Sequence, residues 1–450
     1  LLRGANFCQI GALLGKDPLV IAKHLYPLIN SGAVLLRAPL PPFDMLPQNF
    51  YASKTEGSIK KHRERRNDYR ILNSQSNISN RTVKARSQIL NVTDETKTFV
   101  HITQPQLRLE EPEGQVSMDS HLYISRLPIE QDCRDNILRD GSLIRIKAPR
   151  QMGKSSLLSR TLSFAKSNKY QVVYLDFQQA DRDIFEDLDL FLKWFCVSIT
   201  SELELVNNLE EYWQEGLGSK NKCTKYFQRH LLASSESPLV LGLDEVDLIF
   251  KYSKIATDFF GLLRAWHEKG KYENVWKKLR LVVVHSNEVY IHLNINQSPF
   301  NVGLPIELLE FTYSQLEDLV IRHQLNWLPH QVERLQTLTG GHPYLVRQAL
   351  YQIASGRVTW ENLEKLAATE EGIYSNHLRR QLANLKEEPA MMEAFKNLIA
   401  SDQPLQLDSH IAFKLRSIGL VKFQGNLVVP MCNLYYQYFC QIFRIKYDYF

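Results

Sequence analysis

The run Ala148-Pro149-Arg150-Gln151-Met152-Gly153-Lys154-Ser155-Ser156 constrains the fold more than any other segment of this 450-residue chain. It follows the apolar stretch Ser142–Ala148, which reads as a strand, and it opens Lys154–Ala165, which reads as a helix. The run matches Gly-x-x-x-x-Gly-Lys-Ser/Thr except that Ala148 stands at the first glycine position. These residue types suit a polyphosphate. Backbone groups of the loop and the helix N-terminus surround phosphate oxygens, and Gly153 permits close approach. Lys154 neutralises charge near the β- and γ-phosphates, and the Ser155 hydroxyl ligates Mg²⁺. Pro149, Arg150, Gln151, Met152, Gly153, Lys154, Ser155 and Ser156 are therefore the expected ATP or ADP contacts.

About 90 residues further on, Leu239-Val240-Leu241-Gly242-Leu243 is an apolar strand that ends in Asp244-Glu245. A carboxylate pair at the end of a buried strand places Asp244 beside the metal, and leaves Glu245 to orient and deprotonate an attacking water. Lys154 and Glu245 are the expected catalytic residues, and Ser155 and Asp244 the expected Mg²⁺ ligands. Hydrolysis also needs a cation near the γ-phosphate. Arg150 and Arg264 are candidates on position in the sequence alone. Leu281–Val284 is another apolar strand, followed by His285-Ser286-Asn287. Should it lie beside the strand that carries the phosphate loop, Ser286 or Asn287 is set to sense the γ-phosphate.

The strands expected at Ser142–Ala148, Gln171–Phe177, Leu239–Asp244, Leu279–His285 and Leu308–Phe311 alternate with helical stretches, two of them long and together covering roughly residues 183 to 233. Apolar strands separated by helices argue for a parallel sheet covered on both faces, an α/β three-layer core. Beyond residue 312 helices take over, with one expected from a Ser314 cap through His323 and another over Tyr344–Ala354. A helix carrying Ile411, Leu415 and Ile418, a strand Gly419–Phe423, the turn Gln424-Gly425-Asn426 and a strand Leu427–Val429 then read as a winged helix. The expected divisions are a small helix and strand module at 1–50, a polar, largely disordered linker at 51–117, the core at 118–312, a helical lid at 313–370 and a winged-helix-like domain at 371–450.

Charge follows these divisions. Residues 1–117 hold 16 Lys and Arg against 10 Asp and Glu, whereas residues 118–450 hold 38 against 39. Much of the positive excess sits in the run Lys60-Lys61-His62-Arg63-Glu64-Arg65-Arg66, so the basic balance reports on the linker and gives no support to a DNA-binding core. The six cysteines (Cys8, Cys133, Cys196, Cys223, Cys432 and Cys440) show no metal-ligand spacing and read as thiols of a reducing compartment. No stretch reaches the roughly 18 apolar residues of a membrane span, and no signal peptide opens the chain, which predicts a cytoplasmic protein. The first residue is Leu1, which is consistent with a longer chain upstream.

Four segments together resemble a known family. KAPRQMGKSSLLSRTL, LVLGLDEVD, LRLVVVHSNEVYI with NINQSPFNVGLPIEL, and LTGGHPYLVRQALY are similar to the AAA-like domain of cyanobacterial signalling proteins, a branch of the STAND P-loop ATPases within the AAA+ group. The resemblance covers roughly residues 118 to 360, and residues 1–47 more weakly resemble the end of a PATAN-type module. It implies a core of strand order 5-1-4-3-2, a helical lid and a winged-helix domain acting as a nucleotide-dependent switch. It further implies that Gly341-His342-Pro343 in the lid contacts the base through Pro343. Ala148 departs from the usual loop and no arginine finger is visible, which points to slow hydrolysis. Protein partners or self-association on activation are expected. The alternatives are a DNA-acting AAA+ regulator and a nucleotide-binding scaffold that does not hydrolyse.

Overall fold

The computed structural model describes residues 109–286, 299–401 and 403–446. The module expected at 1–50, most of the linker expected at 51–117, and Asn287 lie outside the described residues. Five strands form one parallel sheet: β1 (Leu143–Lys147), β2 (Gln171–Asp176), β3 (Leu239–Asp244), β4 (Leu279–His285) and β5 (Leu304–Glu307). Their order is β2-β3-β4-β1-β5, which is the expected 5-1-4-3-2 read from the other edge. β1 is thus hydrogen-bonded to β4 and β5, and β4 separates it from β3.

Side-chain alternation makes the sheet two-faced. Leu143, Leu239, Leu241, Leu243, Leu281 and Val283 point into one apolar cluster, and Ile144, Ile146, Val240, Val282 and Val284 into another. The first cluster packs against α3 (Leu188–Glu202), α5 (Ser219–Tyr226) and α6 (Ser253–Lys269). The second packs against α1 (Ile129–Ile137) and α2 (Lys154–Ser167). A short helix, α4 (Leu209–Tyr212), interrupts the region expected to hold two long helices, and α5 runs on through wider turns to Leu232. Every residue of β3 and β4 is buried, which explains why both read as continuous apolar runs. Each buried Leu, Ile or Val contributes about 1.5–3 kcal/mol.

Past the sheet come α7 (Tyr313–Arg322), α8 (Pro329–Thr339), α9 (Pro343–Ala354), α10 (Trp360–Leu366), α11 (Ser375–Lys386), α12 (Pro389–Ala400) and α13 (Ser409–Ser417). An antiparallel hairpin of β6 (Val421–Gln424) and β7 (Leu427–Pro430) follows, then α14 (Asn433–Phe443). One apolar cluster joins Leu316, Leu345, Phe395, Leu415, Val428 and Tyr435, so these helices and the hairpin share a core.

Three local expectations are corrected. The edge strand lies at Leu304–Glu307 instead of Leu308–Phe311, because Leu304 and Ile306 pair with Ile144 and Ile146. The apolar Phe311 serves another junction, where its N–H donates to the Gly341 carbonyl at 2.8 Å. Gly341 has a φ of 76°, and a Cβ there would stand 2.4 Å from the Phe311 carbonyl oxygen, so only glycine fits. Thr312, not Ser314, caps α7, in a reciprocal capping box with Gln315. Finally, the described end of the expected linker is bound to the folded region. Val116 N–H donates to Ser156 Oγ at 3.0 Å, Arg160 Nη2 to the Ser117 carbonyl at 2.8 Å, and Arg347 Nη2 to the Glu110 carbonyl at 3.2 Å.

Gly242 sets how closely α2 approaches the sheet. A Cβ at this position would stand 2.7 Å from Leu162 Cδ1 and 3.1 Å from Leu158 Cδ1. Gly242→Val is expected to lower stability by about 1–3 kcal/mol through overpacking, read as a lower denaturant midpoint. An unchanged midpoint would show that α2 is free to move away.

Candidate active site

The loop between β1 and α2 curls around the start of the helix, and its carbonyl groups are taken by cations. Lys154 Nζ donates back to the Pro149 carbonyl at 3.1 Å, and Arg126 Nη2 donates to the Met152 carbonyl at 2.7 Å. Arg126 also donates to the Leu309 carbonyl at 3.1 Å and lies over the Phe311 ring. Gly153 caps α2 with a φ of 94°, and a Cβ there would meet Arg126 Nη2 at 3.4 Å. Gln151 is left-handed as well, with a φ of 64° and no glycine to relieve it. Its side chain is held from outside: His377 Nδ1 is 3.0 Å from Gln151 Oε1, and His377 Nε2 is 2.7 Å from the Tyr435 hydroxyl.

Arg150, Gln151, Gly153, Lys154, Ser155 and Ser156 line a cavity of about 700 Å³, and Glu245 and Pro343 line it too. Glu245 directly follows β3 in a left-handed conformation with a φ of 54°, a strained geometry of the kind concentrated at functional sites. Asp244 is buried, with Oδ1 accepting from the Glu245 N–H at 3.0 Å and Oδ2 from the Tyr174 hydroxyl at 3.3 Å. Burial lowers the Lys154 pKa, opposed by the charges of Glu245, Asp247 and Asp244 in that order. Burial also raises the Glu245 carboxyl above its ordinary value, with the neighbouring Asp247 adding to the rise and Lys154 opposing it. The chemistry is that of a desolvated cation facing carboxylates beside a left-handed loop at a helix N-terminus, which suits a polyphosphate and a hard divalent cation.

Other expected residues sit differently. The Met152 side chain is buried in the core, so only its backbone borders the loop. Pro149 is not among the cavity-lining residues and instead meets Gly419, whose Cβ would lie 3.3 Å from Pro149 Cβ. Ser156 lines the cavity, yet its hydroxyl already accepts from Val116. β4 does lie beside β1, but Ser286 does not line the cavity; its N–H donates to Asp247 Oδ1 at 3.2 Å. Arg264 points along α6 toward Glu268 at 3.9 Å and is likewise absent from the lining.

The cavity also holds residues that no motif announced. Pro112–Val116 form one wall, Tyr174 and Gln178 another, and Arg126, Arg347 and Arg380 bring three further cations. Spacing gave no signal for the strap at 112–116 or for Arg380, because tertiary packing alone brings them there. Asp247, the next carboxylate after Asp244-Glu245, is absent from the lining and acts on Glu245 through its charge while accepting the Ser286 N–H.

With this geometry in view, comparison with protein families gives a match to the AAA-like domain over residues 111–441. The chain belongs to that family of P-loop ATPases. A comparison with curated proteins gives no match. Among solved structures, the Walker-type ATPase paby2304 of Pyrococcus abyssi is similar with a TM-score of 0.50 and 14% identity, over 72% of this chain and 96% of that one. That likeness is one of fold. The Aeropyrum pernix ORC2 protein is similar at a TM-score of 0.40 and 16% identity, over 72% and 96% of the two chains. DnaA from Aquifex aeolicus has a TM-score of 0.34 and 16% identity, over 62% and 73%. Among the described residues of the AAA-like chain, no helix is long and apolar enough to cross a membrane.

Three histidines near this region are buried and held neutral. Burial pushes His377 down to about 3, and His342 and His323 each down to about 4. Unfolded histidine takes up its proton near 6.5, so the stabilising effect is fully present above that pH. It is lost as pH falls toward the folded values, at up to about 1.4 kcal/mol per pH unit for each histidine. Denaturant midpoints measured from pH 7 down to pH 5 are expected to fall, with a shallower fall in His377→Asn. Identical slopes in the two proteins would exclude His377 as a contributor.

Proposed function

We propose that this AAA-like protein is an ATP-binding signal-transduction ATPase of STAND type, a nucleotide-dependent conformational switch with slow Mg²⁺-dependent hydrolysis. The observation that supports it most is the contact between the phosphate loop and the carboxy-terminal helices. Gln151 meets His377 of α11 and, through it, Tyr435 of α14, while Pro149 meets Gly419 at the end of α13. A change of the loop on exchanging ADP for ATP is therefore delivered directly to these elements. On this reading α11 to α14 with the β6–β7 hairpin form a winged-helix unit that rests on the loop in the ADP state. Release of that unit frees it for self-association or a protein partner.

In the proposed mechanism the loop N–H groups and Lys154 bind the phosphates, and Pro343 with the strap at 112–116 borders the base. Ser155 and Asp244 would hold Mg²⁺, which supplies charge neutralisation between the β- and γ-phosphates when bound. Glu245 accepts the proton of the attacking water. Its raised pKa makes it a stronger base at neutral pH than an ordinary carboxylate, provided it is ionised. The chain and the Pyrococcus abyssi Walker-type ATPase share the fold that carries such a site.

Glu245→Gln keeps the size and polarity of the side chain and removes the base. The expected result is retained ATP binding with hydrolysis slowed about 10²-fold or more, measured as phosphate release. Unchanged phosphate release in the variant would remove Glu245 from the mechanism. Absence of hydrolysis in the wild-type protein, with nucleotide bound, would favour the scaffold reading.

A further inference from the structure

The segment ahead of the core is tied down at both ends, and between the ties it walls the nucleotide cavity. At its start Arg347 Nη2 of α9 donates to the Glu110 carbonyl at 3.2 Å, and the Tyr351 hydroxyl of α9 donates to Glu111 Oε1 at 3.1 Å. At its end it lies on α2. Gln115 Nε2 donates to Ser159 Oγ at 2.5 Å, Val116 N–H to Ser156 Oγ at 3.0 Å, and Arg160 to the carbonyls of Val116 and Ser117 at 3.1 and 2.8 Å. Pro112–Val116, in between, line the cavity. Gly114 turns the strap there with a φ of 61°.

The strap and the chain just beyond it are held by different forces. No residue from 109 to 120 is buried, whereas Leu122 and Ile124 are sealed in the apolar cluster of the carboxy-terminal helices. A segment fixed by polar contacts opens locally while a neighbour fixed by apolar burial stays in place. Arg160 joins the two regions. Besides its two strap carbonyls, its guanidinium lies 3.4 Å from the centroid of the Tyr123 ring, and the Tyr123 hydroxyl donates to Glu130 Oε1 at 2.8 Å. Tyr123 lines the cavity, whereas Arg160, Ser159 and Tyr351 do not. Arg160 therefore reaches the cavity only through Val116, Ser117 and Tyr123.

We infer that residues 110–117 are a gate over the nucleotide cavity, held shut by Arg160 as a positioning residue, and that opening of this strap sets the rate at which nucleotide enters and leaves. This rests on the nucleotide-binding reading of the cavity. For the wall at 112–116 to part, the bonds of Val116 and Ser117 to α2 must break, and Arg160 holds both carbonyls. Exchange is then controlled from the amino-terminal side. Residues before Leu109 lead straight into the strap, so whatever acts on them reaches the cavity wall along the backbone.

The test is stopped-flow binding and displacement of fluorescently labelled ADP on the full chain, with Kd measured separately. Arg160→Met keeps the length of the side chain and removes its donors. Release is expected to speed up about tenfold or more while Kd changes by less than about threefold, so association speeds up as well. Arg160→Lys, which keeps the charge, is expected to fall between. Ser159→Ala combined with Tyr351→Phe loosens both ends of the strap from outside the cavity, and is expected to raise both rates about threefold or more; it carries the test should Arg160→Met fail to fold. Unchanged rates in the folded variants would overturn the proposal. So would faster release with unchanged association, which is the behaviour of a lost base contact. Lys154→Ala separates this failure from failure of the site reading. If the wild-type chain binds the labelled ADP and Lys154→Ala loses it while the strap variants leave both rates unchanged, only the gate falls. If the wild-type chain binds none, both readings fall together.

Discussion

The phosphate loop is held through its carbonyl oxygens, and the arrangement around it depends on that. Lys154 takes the carbonyl of Pro149 and Arg126 that of Met152, so the backbone between β1 and α2 is braced on one side. Backbone N–H groups at the start of α2 are the groups a polyphosphate can use. Left-handed geometry at Gln151 and Gly153 produces the curl, and only one of the two positions is a glycine. A non-glycine residue in this region stores strain that neighbouring contacts must hold. At Gln151 the contact is His377, itself bonded to Tyr435. The loop and the carboxy-terminal helices are thereby parts of one hydrogen-bonded assembly.

Magnitudes fit a reversible contact. The surface between loop and carboxy-terminal helices offers the His377 hydrogen bond, the Pro149–Gly419 approach and an ion pair of Arg416 with Glu307 at the end of β5. A hydrogen bond of this sort contributes about 1 kcal/mol net, and a half-exposed ion pair about 0–1 kcal/mol. Such contacts lie within the roughly 1–3 kcal/mol by which one ligand state commonly shifts a second equilibrium. The sheet, by contrast, is sealed by two apolar clusters on opposite faces and offers no comparable freedom. On the proposed switch reading, movement on nucleotide exchange would fall to the carboxy-terminal side, with the strands as the fixed frame.

The sequence carried the sheet clearly, because burial on both faces leaves continuous apolar runs at Leu239–Leu243 and Leu279–Val284. The phosphate loop and the Asp244-Glu245 pair were legible for the same reason: each follows a strand directly, so local order fixes where it stands. What depended on distant packing was hidden. Phe311 reads as strand but donates its N–H to the carbonyl of Gly341, just ahead of α9, and the edge strand lies four residues earlier. The strap at 112–116 is polar and aperiodic, and its order comes from backbone bonds to Ser156 and Arg160 that leave no trace in composition. Ser286 ends the right strand, yet it gives its N–H to Asp247 and stays out of the cavity. Arg380 is one of many arginines until α11 is seen beside Gln151.

The central claim is that docking of the carboxy-terminal helices on the phosphate loop depends on the nucleotide. Hydrogen–deuterium exchange across residues 375–443, compared in Mg-ADP and in a slowly hydrolysed ATP analogue, tests it most directly. The account predicts slower exchange in α11 and α14 with ADP and faster exchange with the analogue, while β3 and β4 stay equally protected in both. Equal exchange in α11 and α14 under the two nucleotides, with both shown to be bound, would contradict it.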